Sequence, residues 1–315
     1  MGRRKGLPIN GWLAIDKPLG ITSTQVVSAV RRATGAAKVG HGGTLDPLAS
    51  GVLPIALGEA TKTVQYVMDG AKIYRWQVRW GEGRNTDDGE GEVVATSDVR
   101  PDRAAIEAAL LGFLGEIEQI PPAFSAIKIG GERAYTLARA GEAVEITPRT
   151  VRIDRFTLLD CPDADHADFE TVAGKGTYIR SLARDLARAL GTCGHVSRLR
   201  RVACGPFREE TAISLEFLRE VGQVPALRSH LLPVETALDD IPALALTEVE
   251  ARRLQEGQAL SLLRVAGRNP LAKIAQGVVV RAMEGRRLVA LARIDGGEIR
   301  PVRVIHSNQD DTQGV

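Results

Sequence analysis

The sequence predicts an α/β protein: a central mixed, largely antiparallel sheet flanked by helices, followed by a small β domain at the C-terminus. Three observations carry this expectation. Residues 73–80 (IYRWQVRW) place Tyr74, Trp76, Val78 and Trp80 on one face and Arg75, Gln77 and Arg79 on the other, the period of a half-buried strand. Ile179, Leu182, Leu186 and Leu190 recur at helical spacing, with Gly191 as the stop. Beyond a proline-bearing run, residues 278–283, 288–294 and 299–305 are short apolar segments joined by EGR and DGG turns, the pattern of a β meander.

The remaining elements follow in chain order. GWLAIDKP reads as a strand ending at Pro18, and Thr22, Ser23 and Thr24 offer N-caps for a helix with Val26, Val27 and Val30 on one face, stopping near Gly35. The apolar VLPIAL comes next, then a helix opened by GEATKT and carrying Val64, Val67 and Met68. Lys62 in that opening is a candidate contact for a substrate phosphate. GEGRNTDDGEGE does not fit the spacing of a calcium loop and reads as a hairpin turn. Asp102 starts a helix with Ile106, Leu110, Phe113 and Leu114 on one face. Residues 121–150 are polar and glycine-punctuated, the character of a surface insertion. Residues 151–159 and 168–172 resume as strands. Thr177 is the expected N-cap of the Ile179 helix, and Arg180 falls in its first turn, where the dipole disfavours a cation; it therefore calls for a carboxylate partner. HVSRLRRVACGPF is a basic strand, Ser214 caps a short helix, the run through Pro225, Pro233 and Pro242 reads as linker, and Thr247 with Glu250 forms a capping box. The tail SNQDDTQGV is expected to be disordered.

Composition bounds the function. The chain has 315 residues, 44% hydrophobic and 25% charged, which suits a folded protein of about two domains. No run approaches the ~20 apolar residues of a spanning helix, and no hydrophobic stretch follows the basic N-terminus, so a cytoplasmic protein without a membrane partner is expected. Its three cysteines show no CxxC spacing and signal neither a disulfide framework nor a zinc site. A net charge of +2 requires any polyanion-binding surface to be gathered locally. Arg31, Arg32 and Lys38, then Lys128, Arg133 and Arg139, then Arg198, Arg200 and Arg201 are the available clusters.

The stretch KVGHGGTLDPLASG holds one carboxylate, Asp46, restrained by Pro47 and bordered by Gly42, Gly43 and Gly51, which permit close approach of another molecule. The later GKGT lacks the upstream glycine of a nucleotide P-loop, which argues against a phosphate-binding metabolic enzyme.

Taken together, GWLAIDKPLGITS, KVGHGGTLDPLASGVLPIALGEATK, the Tyr74 strand, QIPPAFSAIKIGGERAYTLARAGE, GKGTYIRSLARDLARALG and HVSRLRR closely resemble the bacterial tRNA pseudouridine-55 synthase family, TruB. The match runs through nearly all of residues 10–235, in the family's order. The resemblance implies the pseudouridine synthase fold over residues 1–240, with an RNA-binding insertion at about 121–150 and a PUA-like RNA-binding domain over 241–306, ahead of a 307–315 tail. It implies that Asp46 is the catalytic nucleophile and that Arg180 pairs with it. Tyr74 matches the tyrosine stacked on the target base, His41 the histidine packed against RNA bases, and Tyr178 and Leu199 positions lining the uridine pocket.

The implied activity is isomerisation of uridine 55 in the T arm (TΨC loop) of tRNA, by base flipping, in a monomer that needs no cofactor. The chemistry suits these residue types. A nucleophile divides a difficult bond exchange into easier steps. An adjacent guanidinium favours an ionised carboxylate and fixes its direction. An extruded base leaves a gap in the stack that a flat side chain such as His41 can fill. Tyr178 is suited to take the C5 proton late in the reaction. A second class of function, an RNA-binding or tRNA-folding protein without essential catalysis, would use the same groove.

Overall fold

The computed structural model describes residues 6–125, 128–129, 132–133, 146–221, 227–269 and 275–306. The expected tail at 307–315 and most of the 121–150 insertion lie outside them.

The N-terminal strand β1 (Gly11–Lys17) leads into α1 (Ser23–Thr34), whose Thr22 cap and Gln25 form a capping box and whose chain leaves through Gly35 at φ 66°. Then come β2 (Val39–His41), β3 (Ala49–Leu57), a 3₁₀ turn Gly58–Lys62 and α2 (Val64–Asp69). Strand β4 (Lys72–Trp80) is followed by a hairpin of β5 (Glu82–Arg84) and β6 (Val93–Thr96), α3 (Arg103–Leu110), β7 (Gly115–Gln119) and the two-residue strands β8 (Lys128–Ile129) and β9 (Glu132–Arg133). The long β10 (Arg149–Asp163) and β11 (His166–Ala173) precede α4 (Ile179–Ala189), then β12 (Gly194–Cys204), β13 (Phe207–Arg208), β14 (Ile213–Ser214) and α5 (Leu215–Val221).

Ten of these strands make one sheet in the order β14-β1-β3-β12-β4-β11-β10-β7, with β13 on β12 and β2 on β3. Only β1 with β14 and β3 with β12 run parallel, so the expected mixed, largely antiparallel sheet is present. The parallel contact of β3 with β12 is brief, Leu199 opposite Ala49 through Arg201 opposite Gly51, whereas β12 pairs β4 along its whole length. Two cores flank this junction. One packs Trp76, Val78, Trp80 and Phe169 against Ile179, Leu182 and Leu186 of α4; the other packs Leu13, Ile15, Leu53 and Ile55 against Val26 and Val30 of α1.

The second sheet has five strands, β15 (Ala243–Ala245), β16 (Leu260–Ser261), β17 (Val279–Glu284), β18 (Arg287–Asp295) and β19 (Glu298–Val304), in the order β15-β17-β18-β19-β16. The three-stranded meander is there, enlarged by one short strand on each side. Leu288 and Leu291 of this sheet and Ile305 just after β19 share a core with Trp12 and Phe207 of the large sheet and Val67 of α2.

Three local expectations are corrected and one is refined. The segment around Pro233 is not a free linker: Leu232 exchanges backbone hydrogen bonds with Trp12, and Val234, Ala237 and Leu238 are buried, because the edge of β1 and the Trp12 indole need partners. Thr177 does not cap α4, since its hydroxyl donates to the Gly174 carbonyl instead. Leu114 is exposed, because the helix gives way to a 3₁₀ turn after Leu110. The glycine-rich stretch is the expected hairpin turn, between β5 and β6, but its Asp87 and Asp88 are buried rather than exposed.

Candidate active site

Asp46 sits in the loop between β2 and β3, held from both sides. Ser23 Oγ donates to the Leu45 carbonyl at 3.0 Å and accepts from the Leu45 N–H at 2.9 Å. Arg201, 1% exposed, donates through Nε to the Val52 carbonyl (2.8 Å), Nη1 to Thr44 (3.3 Å) and Nη2 to Gly43 (3.1 Å). Lys17 Nζ donates to the carbonyls of Pro18 (2.9 Å), Ile21 (2.8 Å) and Pro47 (3.4 Å). A loop with so many satisfied carbonyls presents its acid in one direction.

That direction leads to Arg180, whose Nη2 lies 2.9 Å from Asp46 Oδ2. Nη1 of the same guanidinium lies 3.2 Å from Asp88 Oδ2, and the two terminal nitrogens also donate to the carbonyls of Thr86 and Phe124, each at 3.0 Å. The cation that the helix dipole disfavours is therefore shared by two carboxylates and two carbonyls. Among the described residues its buried Nε has no hydrogen-bond partner. Neighbouring Arg184 binds Asp87 at 2.8 Å, and burial pushes the Asp87 carboxyl up despite that partner. Nothing in the residue pattern marks the DD of the hairpin loop as turning inward; the pairing of two acids with two arginines one helical turn apart emerges only when the β5–β6 loop packs on α4.

Two cavities meet at the ion pair, sharing Asp46, Ala49, Arg180 and Leu199 in their walls. The smaller, about 300 Å³, is also lined by Tyr74 and Tyr178. The larger, about 520 Å³, carries Leu48, Trp76, Gln77, Asp88, Ser197 and Arg198. The fold thus brings Asp46, Tyr74, Tyr178, Arg180 and Leu199 together. Burial pushes the Tyr74 phenol up, with Arg201 opposing from beside it, so the hydroxyl is neutral. Tyr178 has the Arg149 guanidinium 4.7 Å from its ring centroid.

His41 ends β2 on the rim of the Asp46 loop and lines neither cavity; its Nδ1 accepts from the Gly43 N–H at 3.4 Å. Burial, and then the charge of Arg201, lowers its pKa, which leaves a neutral ring at pH 7. Lys62 is elsewhere: its Nζ binds Glu59 at 2.6 Å and the Val304 carbonyl at 2.7 Å, tying the two sheets together. The Arg198–Arg201 cluster also divides. Arg200 is paired with Asp16 and Glu209, Arg201 is buried, and Arg198 faces the larger cavity.

The smaller cavity is lined by Lys72, Arg149, Lys175, Arg180 and Arg201 against the single carboxylate of Asp46. Lys72 is 6% exposed and donates to the Met68 and Gly70 carbonyls. Such a surplus of cations favours an anionic ligand. Among the described residues no cluster of His, Cys, Asp or Glu is placed to hold a metal ion, and no helix is long and apolar enough to cross a membrane.

Comparison with known proteins identifies the family. Residues 31–179 match the model of the TruB family pseudouridylate synthase N-terminal domain, and residues 180–239 that of the tRNA pseudouridylate synthase B C-terminal domain. The chain is 61% identical to tRNA pseudouridine synthase B of Rhodospirillum rubrum, covering 96% of this chain and 99% of that one. It is 55% identical to the protein of the same name from Gluconacetobacter diazotrophicus, over 97% and 100%. Among solved structures it is similar to a chain of a Cbf5-Nop10-Gar1 complex, at 29% identity and TM-score 0.71 over 94% of this chain and 84% of that one. A second similar chain comes from an H/ACA RNP bound to a substrate RNA containing 2'-deoxyuridine, at 25% identity and TM-score 0.72 over 98% and 92%. The fold, the paired Asp46 and Arg180 and these relatives agree: the chain belongs to the TruB family of pseudouridylate synthases, which are isomerases.

Proposed function

We propose that this protein converts uridine 55 in the T arm of tRNA to pseudouridine, with Asp46 as the nucleophile acting on a base-flipped nucleotide. The observation that carries the reading is the 2.9 Å contact between Asp46 and Arg180 at the meeting point of two open cavities. Relatives named tRNA pseudouridine synthase B support tRNA as the substrate, and the cation surplus around the smaller cavity suits an RNA backbone. The reading includes a monomeric enzyme acting in the cytoplasm.

The reaction breaks the N1–C1′ bond, turns the freed uracil, forms C5–C1′ and releases the C5 proton, without net oxidation or hydrolysis. Attack at C1′ and addition to the base both need an aimed carboxylate, and Arg180 fixes the direction of Asp46. In this reading Tyr74 stacks on the everted base, Tyr178 and Leu199 wall its pocket, and Tyr178 is suited to accept the C5 proton. His41, neutral and flat on the rim, takes the place of the base in the RNA stack. The C-terminal five-stranded sheet, residues 241–306, serves as a PUA-like RNA-binding domain beside the catalytic domain of residues 1–240.

Purified protein incubated with tRNA transcripts should yield one pseudouridine, at position 55, by chemical mapping, and release tritium from C5-labelled uridine. The Asp46→Asn variant should bind tRNA and release none. Appreciable turnover by that variant, or modification at other sites alone, would overturn the reading.

A further inference from the structure

Gln119 is the last residue of β7, the outer strand of the large sheet, and is 1% exposed. Among the described residues its side-chain hydrogen bonds both go to one residue of another segment. Nε2 donates to the Tyr178 carbonyl at 3.1 Å, and Oε1 accepts from the Tyr178 N–H at 2.8 Å. One amide therefore meets both backbone groups of Tyr178, as a neighbouring strand would.

The place matters because α4 has no side-chain cap of its own. Its N-cap residue is Tyr178, extended at φ −104° and ψ 115°, and the Thr177 hydroxyl is turned back to Gly174. The Tyr178 carbonyl also takes the first helical hydrogen bond, from the Leu182 N–H at 3.0 Å. Gln119 thus grips the joint at which extended chain becomes helix. From that joint hang Tyr178, in the wall of the smaller cavity, and Arg180, on Asp46. Gln119 lines neither cavity itself.

We propose that Gln119 is a positioning residue: by clasping the backbone of Tyr178 it fixes how far Tyr178 and Arg180 reach toward the reacting nucleotide. This rests on the function proposed above. Asp46 supplies the nucleophile, and Gln119 decides whether the guanidinium that aims it arrives in register.

The test is single-turnover pseudouridine formation on tRNA with enzyme saturating and in excess, so that the rate constant reports the chemical step on bound tRNA, while circular-dichroism melts of the same protein report its folded fraction. Gln119→Met keeps length and removes both polar atoms; its rate constant should fall on the order of 10²-fold, the loss expected from a misplacement of about 1 Å, while tRNA affinity stays close to wild type. Gln119→Glu supplies the internal rescue. A protonated carboxyl has the same donor and acceptor as the amide, so the ratio of its rate constant to that of wild type should climb as pH falls. A smaller folded fraction with an unchanged rate constant, a loss carried wholly by tRNA affinity, or a ratio flat with pH would each overturn the assignment. An inactive wild-type protein would instead refute the proposed function, so the two failures are distinct.

Discussion

The guanidinium of Arg180 stands 2.9 Å from the carboxylate of Asp46 although it belongs to the first turn of a helix, where a cation is least welcome. Asp88, only 10% exposed in its side chain, makes that arrangement tenable from the opposite edge of the same guanidinium.

Asp88 is therefore expected to matter without being the nucleophile. Asp88→Asn keeps an acceptor for Arg180 and removes a charge, and should slow single-turnover catalysis roughly tenfold, about 1.4 kcal/mol. Asp88→Ala leaves Arg180 with one acidic partner and an orphaned donor, and should cost more, approaching the ~3–5 kcal/mol of a broken buried pair. Equal rates for the two variants and wild type would show that Asp46 and the Thr86 and Phe124 carbonyls hold the guanidinium without Asp88.

Arg201 should act through the loop it supports. Arg201→Met strips donors from the carbonyls of Gly43, Thr44 and Val52. An unsatisfied buried acceptor costs about 1–3 kcal/mol, so stability in denaturant and the rate constant should fall together. A variant with wild-type kinetics would mean that the Asp46 loop is fixed by Ser23 and Lys17 without it.

Gly51 has φ +102°, and a Cβ there would lie 2.2 Å from the Arg201 carbonyl oxygen. Gly51→Ala should destabilise the protein by at least ~2 kcal/mol, combining backbone strain with the clash. Gly20, at φ +82° with no neighbouring atom within 4 Å, is the control; Gly20→Ala should cost only ~1–2 kcal/mol. Midpoints of chemical denaturation measure both.

Lys17 predicts a divergence between stability and rate at high pH. Burial lowers its pKa from 10.5 to about 8, partly offset by Asp46 and reinforced by Arg201. Between those two values the unfolded chain holds a proton that the folded one has released, so the contribution of Lys17 to stability rises with pH across that window. The same deprotonation removes a cation from the field of Asp46 and a donor from the carbonyls around it. The single-turnover rate should therefore show a descending limb centred near pH 8, without a matching fall in the Lys17 contribution to thermal stability. Lys17→Met should lack that limb; an identical pH profile in both proteins would exclude the assignment.

Much was legible in the residues themselves. Strand alternation from Tyr74 to Trp80, the Thr22 cap, the Thr247 and Glu250 capping box and the terminal meander are local patterns, set by backbone geometry and apolar spacing, and the structure keeps each of them. Asp46 stood out as the one acid in a restrained, glycine-bordered loop, and the family likeness supplied Arg180 as its partner. What the chain alone did not disclose were pairings between distant segments. Asp88 lay in what read as a polar hairpin turn, Arg201 in a basic cluster and the Pro233 segment in a linker, while the strand that ends at Gln119 went unpredicted. Each acquired its role because a buried donor, acceptor or charge must find its complement in three dimensions. The sequence determined the elements and the nucleophile candidate; only the tertiary structure decided which remote groups satisfy the guanidinium and hold the loop, since desolvation penalises the unpaired polar group wherever in the chain its partner lies.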